Sequence, residues 1–551
     1  MIYALALFFS LLLTAALVPP LMRVARRIGM VDVPEARKVH CALIPRCGGI
    51  AIAIGALVPL YFLAPSKAFI SGICLGSILI LIEGVVDDLR GLGYRWKFAG
   101  QVLAATVTVY ATNLHFVSFG KLIPGYPRLN CGLFGYPLTI FFLVATTNII
   151  NLSDGLDGLA GGICFLIFAA TGFLAFIGRD FVTFALSMCM CGAIVGFLRY
   201  NTHPAVVFLG DAGSQFLGFM AGVTVLLFTG GGARHSPIVA MFMLGVPVFD
   251  TLLAIVRRAV QKRPLFKPDA SHIHHKLLRL GLKHHQAVTV IYLAQLLIIM
   301  IGWTLCKHST AILFGIYLGL LLLVTIVAIF PFRGLSERLE RNRVRNGITH
   351  GENAEPGYRG LFSRKFVSMA AWIALSASLV LFFVLSPVWM RPIPPVIGYY
   401  ALGFMLVLAI VMMVRRDYFV PVAKMAGYFM TIYYVMAFDF DSYFQGFWGY
   451  RDKWLLLSVF LLMGAGYLGF LIASLEELPI ITIDYLLLGL VALTFLLPDP
   501  IKAEFHVNTI AAKVLLVFLS LELVSFRLGG QIELLAPAAF VFLGMCLMMA
   551  V

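Results

Sequence analysis

Residues 138–177 read LTIFFLVATTNIINLSDGLDGLAGGICFLIFAATGFLAFI. Two apolar runs, 138–150 and 159–177, lie on either side of a short segment rich in asparagine, aspartate and glycine. The second run approaches the roughly 20 residues that a helix needs to cross a bilayer. In lipid the backbone must satisfy its own hydrogen bonds, which a helix does within one segment. The stretch therefore predicts membrane helices that meet at a polar edge.

The composition of the whole chain leads to the same class. Of 551 residues, 61% are apolar and 12% are charged, and the mean hydropathy is +0.97. In an ordinary soluble domain about 25% of the residues are charged. A disordered chain has far fewer apolar residues than this chain has. A transmembrane barrel is disfavoured because the apolar runs are continuous and do not alternate. We predict an all-α, polytopic integral membrane protein.

The apolar runs predict the number of membrane helices. Eleven runs precede residue 332, and about seven more follow in 366–551, each taken as one span. The runs of the first part lie at 2–20, 48–64, 69–86, 99–118, 138–150, 159–177, 181–198, 216–230, 237–256, 287–305 and 311–331.

Basic residues predict the orientation. Lysine and arginine outnumber aspartate and glutamate by 41 to 26, which gives a net charge of +15. In the first part they concentrate in alternate loops, including 23–46, 87–98 and 257–286, and the positive-inside rule assigns these loops to the cytoplasm. The N-terminus is then outside, and the first run is a retained span, with a cleaved signal peptide as the alternative. Because the charge mainly reports topology, we expect no nucleic-acid partner.

A polar, basic stretch at 332–365 marks the predicted domain boundary. It separates a membrane-embedded domain, 1–331, from a C-terminal multi-span membrane domain, 366–551, whose role the sequence leaves open. The stretch itself is expected to be a basic cytoplasmic linker. An accessory or partner-binding role is our hypothesis for the C-terminal domain.

A pair of aspartates, Asp87 and Asp88, ends the third run. Adjacent residues on a helix point about 100° apart, so the two carboxylates are expected to have different roles. One would face a cation or a proton, and the other would hold a basic neighbour, for which Arg90, Arg95 and Lys97 are the candidates. For such a pair alone, an ordinary charged loop beside the membrane is the alternative.

The polar segment quoted first holds the second cluster. Side chains with oxygen atoms recur there at every third position: Asn148, Asn151, Asp154 and Asp157. A helix would align them in one stripe, but Gly155 and Gly158 favour a broken helix or a turn. Oxygen ligands suit Mg²⁺, and exposed backbone amides suit a phosphate or nucleotide. The alternatives are a polar span end and a calcium loop, and the closing glutamate of an EF-hand is absent.

Asp211 forms the third cluster, in the sequence FLGDAGSQF. Gly210 and Gly213 would let the backbone approach a phosphate or a metal closely. A helix cap formed by Asp211 or Ser214 explains the same residues equally well.

Histidines form the fourth cluster: His272, His274 and His275, in the sequence SHIHHK. The basic residues around them suggest an anion such as a diphosphate. A zinc site is disfavoured because there is no cysteine partner and no metalloprotease spacing. A plain cytoplasmic loop would explain the lysines and arginines but leaves the histidines unexplained.

Together these stretches resemble the polyprenyl-phosphate N-acetylhexosamine-1-phosphate transferases of glycosyltransferase family 4. The resemblance rests on Asp87-Asp88 with a downstream lysine and glutamine, NxxNxxDGxDGLAGG, FLGDxGS and HIHH, in matching order over 1–330. The sequences RKVHxxxIPRxGG and SHIHH resemble the WecA/TagO branch, which uses UDP-N-acetylhexosamines. The related muramoyl-pentapeptide branch carries a three-histidine run that this chain lacks. Residues beyond the linker lie outside the family pattern.

The resemblance implies a reaction. An N-acetylhexosamine 1-phosphate, with GlcNAc the favoured sugar, would pass from a UDP-sugar to undecaprenyl or another polyprenyl phosphate, and UMP would be released. Mg²⁺, with Mn²⁺ as an alternative, would be the cofactor. The protein would lie in the bacterial inner (plasma) membrane with its active site on the cytoplasmic face, and homo-oligomers are compatible with this picture. The polymer made afterwards, such as O-antigen, teichoic acid or capsule, stays open.

The resemblance also implies roles for residues. Asp211 and Asn151 would bind the metal, Asp87 would deprotonate or orient the polyprenyl phosphate, and Asp88 would support the site. The expected nucleotide-binding residues are Asp154, Gly155, Leu156 and Asp157. The expected diphosphate- or sugar-binding residues are His272, His274, His275, Lys97, Lys38 and Arg46.

Two other functions fit parts of the sequence. A phospho-N-acetylmuramoyl-pentapeptide transferase is the alternative within the family. A transporter is the alternative from another class, because intramembrane polar residues also mark transport paths. A transporter would place charges near the midplane and show paired repeats, whereas the carboxylates here collect at one predicted face.

Overall fold

The computed structural model describes residues 2–32, 43–63, 66–120, 129–229, 236–261, 272–279, 282, 284–306 and 308–329. These residues all belong to one compact unit. The predicted linker at 332–365 and the predicted spans of 366–551 lie outside the described residues.

The described chain is built of helices joined by short connections. The helices are α1 (Ile2–Ile28), α2 (Gly48–Leu63), α3 (Lys67–Arg90), α4 (Tyr94–Thr112), α5 (Gly135–Ser153), α6 (Leu159–Ile177), α7 (Phe181–Asn201), α8 (Gly210–Thr229), α9 (Ile238–Met243), α10 (Gly245–Val260), α11 (Ile273–Arg279), α12 (His284–Leu305) and α13 (Thr310–Ile329). One short 3₁₀ turn, Gly132–Phe134, precedes α5. Two two-residue strands, β1 (Val31–Asp32) and β2 (Ile44–Pro45), pair antiparallel, with Val31 opposite Pro45.

The helical, polytopic class is confirmed. Seven of the described helices are long and apolar enough to cross a membrane, namely those at Phe9–Ile28, Lys67–Arg90, Gly132–Ser153, Leu159–Ile177, Phe181–Asn201, Gly210–Thr229 and His284–Leu305. The helices α2 and α13 are also apolar, but their apolar stretches, Gly48–Phe62 and Thr310–Leu322, are shorter. The count of eleven spans in the first part, and about seven in the second, stays a prediction.

One predicted run, 237–256, is divided between two helices, α9 and α10. Proline has no amide hydrogen, so Pro247 cannot bond to the carbonyl four residues earlier, that of Met243. The side chain of Gln295 on α12 replaces the missing contacts. Its Nε2 donates to the Met243 carbonyl at 2.7 Å, and its Oε1 accepts from the Val246 amide at 2.8 Å. The buried side chain of Gln295 thus provides hydrogen bonds to two backbone groups at the break between the helices.

Helix α8 lies at the centre of the described bundle, and its side chains are almost all buried. It packs against α2, α3, α5 and α6. Small residues allow the backbones to come close. A Cβ atom added to Gly84 would lie 2.4 Å from the Cα of Ala212, and one added to Gly49 would lie 2.2 Å from the Cα of Gly213. Close packing through small residues is common between membrane helices.

This close approach predicts that Gly84→Ala destabilises the protein. Backbone atoms cannot yield as a side chain would, so α3 must move away from α8. We expect a loss of about 1–3 kcal/mol in unfolding free energy, measured as a lower melting temperature in detergent. Gly315→Ala is the matched control, because no atom of the described residues lies within 4 Å of the added Cβ. Equal melting temperatures for the two variants would contradict the packing argument.

Candidate active site

Asp88 joins the end of α3 to the start of α8. Its Oδ1 accepts a hydrogen bond from the Asp211 amide and its Oδ2 accepts one from the Ala212 amide, both at 3.0 Å. The first amides of a helix have no partner within the helix, and the positive end of the helix dipole favours a carboxylate there. Gly210, which precedes Asp211, has φ +73° and leaves room for the Asp88 carboxylate. Asp88 therefore positions Asp211.

Asp87 is paired with a lysine from the next helix. The Nζ of Lys97 lies 2.7 Å from Asp87 Oδ2 and 3.0 Å from Asp211 Oδ1. The other oxygen of Asp87 accepts a hydrogen bond from the Leu92 amide at 2.7 Å. The structure thus agrees with the expectation that the two adjacent aspartates have different partners, and with Lys97 as the basic neighbour.

Asn151, on the last turn of α5, completes this group. Its Nδ2 donates to Asp211 Oδ1 and to Ser214 Oγ, both at 2.7 Å. The Asp211 side chain keeps 33% of its surface exposed, so the group is open on one side. We name Asp87, Lys97, Asn151 and Asp211 the carboxylate–lysine cluster. Side chains from α3, α4, α5 and α8 meet in it.

The donor set of this cluster fits a hard cation such as Mg²⁺. Carboxylate oxygens of Asp211 and Asp87 lie around one positive group, the ammonium of Lys97. An amide flip of Asn151 would present its oxygen in place of its nitrogen. Oxygen atoms of this type are the ligands that Mg²⁺ prefers.

The segment after α5 breaks the helix, as the glycines predicted. Helix α5 ends at Ser153, Asp154 follows as its cap, and α6 begins after Gly158, which has φ +79°. The four oxygen-bearing residues therefore do not form one stripe. Asn151 reaches Asp211, Asn148 donates to Gln101 Oε1 at 2.6 Å, and Asp157 bonds His203.

The predicted nucleotide loop and the predicted histidine cluster are neighbours. A Cβ atom added to Gly155 would lie 2.2 Å from Nε2 of His274, so this glycine makes room for the imidazole. Leu156 is half-buried in the same loop. The His274 ring also lies near those of His272 and His275, at 5.8 Å and 4.2 Å between ring centroids.

Asp250 on α10 holds the histidine helix α11. Its Oδ2 lies 2.9 Å from Nδ1 of His272, and its Oδ1 accepts from the Ile273 amide at 2.9 Å. Burial, followed by the nearby His275, lowers the pKa of His274 to about 4. His274 is therefore neutral near pH 7, so it can meet an anion as a hydrogen-bond donor but not as a cation.

The sequence predicts two phosphate-binding residues before α2, Lys38 and Arg46. The structure describes Arg46. Its guanidinium hydrogen-bonds Asp32 of β1, and a second nitrogen lies 3.9 Å from Asp88 Oδ1. The β1–β2 pair thus brings Arg46 towards the end of α3. Lys38 lies outside the described residues.

Sequence reasoning missed several residues in and around the site. Glu83 lies one turn before Asp87, and both its oxygens are buried with no hydrogen-bond partner among the described residues. An acidic residue inside an apolar run is itself a functional signal, and it would have pointed to Glu83 and Asp250. Gln215 was missed as well, and its Oε1 accepts a hydrogen bond at 2.8 Å from Nε2 of Gln101, the downstream glutamine of the motif. His203 and His284 carried no signal, since each looks like an ordinary loop residue.

Comparison with known proteins identifies the family. The sequence profile of glycosyl transferase family 4 matches residues 70–229. A probable undecaprenyl-phosphate N-acetylglucosaminyl 1-phosphate transferase of Bacillus subtilis is 38% identical over 297 residues, which are 53% of this chain and 82% of the relative. The chain belongs to glycosyl transferase family 4.

Other relatives bear similar names. The undecaprenyl-phosphate alpha-N-acetylglucosaminyl 1-phosphate transferase of Escherichia coli O157:H7 is 31% identical over 58% of this chain and 91% of its own length. The decaprenyl-phosphate N-acetylglucosaminephosphotransferase of Mycobacterium tuberculosis is 33% identical over 51% of this chain and 78% of its own length. The family profile includes the whole carboxylate–lysine cluster and Asp88, whereas Arg46 and the histidine helix lie outside it.

The cap formed by Asp88 predicts a double defect in Asp88→Asn. The new amide nitrogen would face a backbone amide of α8, so the unfolding free energy should fall by about 1–3 kcal/mol. Displacement of Asp211 should lower transferase activity by roughly 10²-fold.

Asp180→Asn is the matched control for this prediction. Asp180 caps its own helix, α7, through the Thr183 amide at 3.2 Å and takes no part in the site. It should change stability by less than about 0.5 kcal/mol and keep its activity, because asparagine caps a helix about as well as aspartate. Full activity in Asp88→Asn would show that Asp211 does not need the cap.

The lowered pKa of His274 predicts a pH dependence of stability. Because the unfolded imidazole, with a pKa near 6.5, binds protons more readily, its contribution is fully present above about pH 6.5 and is lost as the pH falls towards 4. His274→Asn should remove up to about 3 kcal/mol of this dependence. The measurement is the melting temperature against pH for both proteins, with His115→Asn as control. Parallel curves for wild type and His274→Asn would contradict the assignment.

Proposed function

We propose that this family member transfers GlcNAc 1-phosphate from UDP-GlcNAc to undecaprenyl phosphate or a similar polyprenyl phosphate and releases UMP. It would act at the cytoplasmic face of a bacterial plasma membrane and begin the assembly of a cell-surface polysaccharide. The observation that carries the proposal is the carboxylate–lysine cluster at the ends of α3 and α5 and the starts of α4 and α8. The names of the relatives supply the substrate class.

The reaction joins two anions. An oxygen of the acceptor phosphate attacks the sugar-bearing phosphorus of UDP-GlcNAc, the bond to the oxygen of the UMP phosphate breaks, and UMP carries that electron pair away. Mg²⁺, held by Asp211 and Asn151, would neutralise negative charge on the diphosphate when bound. Lys97 provides a fixed positive charge at the same point, which offsets the repulsion between acceptor and donor.

The contacts of the two aspartates favour direct attack by the acceptor. Both oxygens of Asp87 are engaged, one by Lys97 and one by the Leu92 amide. The Asp88 side chain is fully buried and hydrogen-bonded to two amides. Neither presents a free oxygen for a covalent phosphoryl-aspartate. Asp87 therefore orients the acceptor phosphate through Lys97, and the incoming phosphate is itself the nucleophile.

We assign the donor substrate, UDP-GlcNAc, to the loop after α5 and to the histidine helix beside it. The loop with Gly155, Leu156 and Asp157 would hold the uridine, with Asp154 at its start. The histidine helix touches this loop through His274 and Gly155, so it is placed to contact the diphosphate or the sugar. Arg46, beside Asp88, would bind a phosphate from the α2 side, and Lys38 is proposed for the same task.

An exchange assay tests the proposal. Purified full-length protein with Mg²⁺, undecaprenyl phosphate and UDP-GlcNAc should release UMP, and Asp211→Asn should release it at least roughly 10²-fold more slowly. Asp180→Asn should match the wild type. Full activity of Asp211→Asn with unchanged Mg²⁺ dependence would refute the metal assignment.

The choice of donor decides between related functions. UMP release with UDP-muramoyl-pentapeptide and none with any UDP-N-acetylhexosamine would indicate the peptidoglycan enzyme instead. Movement of substrate across vesicles without UMP release would indicate a transporter.

A further inference from the structure

Among the described residues, one further group of side chains outside the carboxylate–lysine cluster has the composition of a metal site. Asp157 comes from the loop after α5, His203 from the segment after α7, and His284 from the first residue of α12. One ligand atom from each lies within 4.8 Å of the other two. Three segments that are distant in sequence thus bring two imidazoles and a carboxylate to one point.

The contacts within this group are close. Asp157 Oδ2 lies 2.7 Å from Nδ1 of His203 and accepts from the Ala205 amide at 3.2 Å. Nε2 of His284 lies 3.2 Å from the backbone carbonyl oxygen of Asp157. The two imidazoles stack with their centroids 4.1 Å apart and their planes 13° from parallel.

We propose that Asp157, His203 and His284 bind one transition-metal ion of the Zn²⁺ class, with its remaining position open to water. Two histidines and one carboxylate form a ligand set that Zn²⁺ commonly uses, whereas Mg²⁺ prefers oxygen ligands alone. The side chain of His203 keeps 40% of its surface exposed, so an ion can reach the group from outside.

Binding requires one ring to turn. A metal ion lies in the plane of each imidazole that binds it. The two rings stack nearly parallel, so no nearby point lies in both ring planes. His203 is the more exposed partner and turns about its Cβ–Cγ bond, exchanging its hydrogen bond with Asp157 for a shared ion. Ligand atoms around Zn²⁺ lie about 3.3 Å apart, as follows from tetrahedral bonds of 2.0–2.1 Å, so the group also contracts slightly on binding.

The bound ion would also affect the donor substrate, and this part rests on the proposed function. The Asp157 loop is assigned there to the uridine. An ion on Asp157 would hold that loop in one position and occupy the carboxylate, so Zn²⁺ should raise the KM for UDP-GlcNAc and leave kcat nearly unchanged.

The test measures metal binding without any substrate, so it is independent of the transferase reaction. Full-length protein, purified without a histidine tag and treated with a chelator, is titrated with ZnCl₂ by calorimetry, and bound zinc is counted by mass spectrometry. We expect one ion per chain that excess Mg²⁺ does not displace. His203→Asn and His284→Asn should each weaken binding at least 10-fold.

His115→Asn is the matched control. This histidine stacks on Tyr136 at the far end of α4 and should leave zinc binding unchanged. The melting temperature of each variant without zinc checks that it folds. If His284→Asn fails to fold, His203→Asn decides the question, since its side chain is partly exposed.

Two results would overturn the proposal. One is the absence of retained zinc in the wild type. The other is wild-type affinity and stoichiometry in His203→Asn, which would place the ion elsewhere, for example on the histidines of α11.

Discussion

The carboxylate of Asp88 accepts hydrogen bonds from two amides in the first turn of α8, those of Asp211 and Ala212, and the site is assembled around this contact. A buried carboxylate is costly unless it is hydrogen-bonded. Here it gains two amides, the positive end of a helix and Arg46 at 3.9 Å. The contact needs close backbones, which Gly84 and Gly210 provide. It holds the end of α3 against the start of α8, and so Asp211 stands beside Asp87.

The carboxylate–lysine cluster brings two carboxylates and one ammonium group together. Asp87 and Asp211 are carboxylates from different helices that share one ammonium, that of Lys97. Like charges so close together would repel strongly without a cation between them. The same arrangement explains why Lys97 is oriented inward, and in the proposed function the same carboxylates would attract a divalent cation.

Polar residues inside the apolar helices do structural as well as chemical tasks. Gln295 bonds the backbone on both sides of the break between α9 and α10, and Asp250 holds the first turn of α11. Gln101 links α4 to α5 and α8 through Asn148 and Gln215. In a bilayer an unsatisfied polar group costs several kcal/mol, so each of these contacts fixes the relative position of two helices.

The sequence by itself determined the helical membrane class, the approximate positions of most of the described helices and the residue types of the site, because hydropathy and local glycine or proline chemistry act over short distances. The break after Ser153 is an example, since Gly155 and Gly158 permit the turn there. Only the tertiary structure decided which side chains meet. Asn151 hydrogen-bonds Asp211, whereas Asp157 contacts His203. Asp88 accepts a hydrogen bond from the amide of Asp211, 123 residues further along the chain. Such contacts depend on how whole helices pack, which local sequence patterns do not encode.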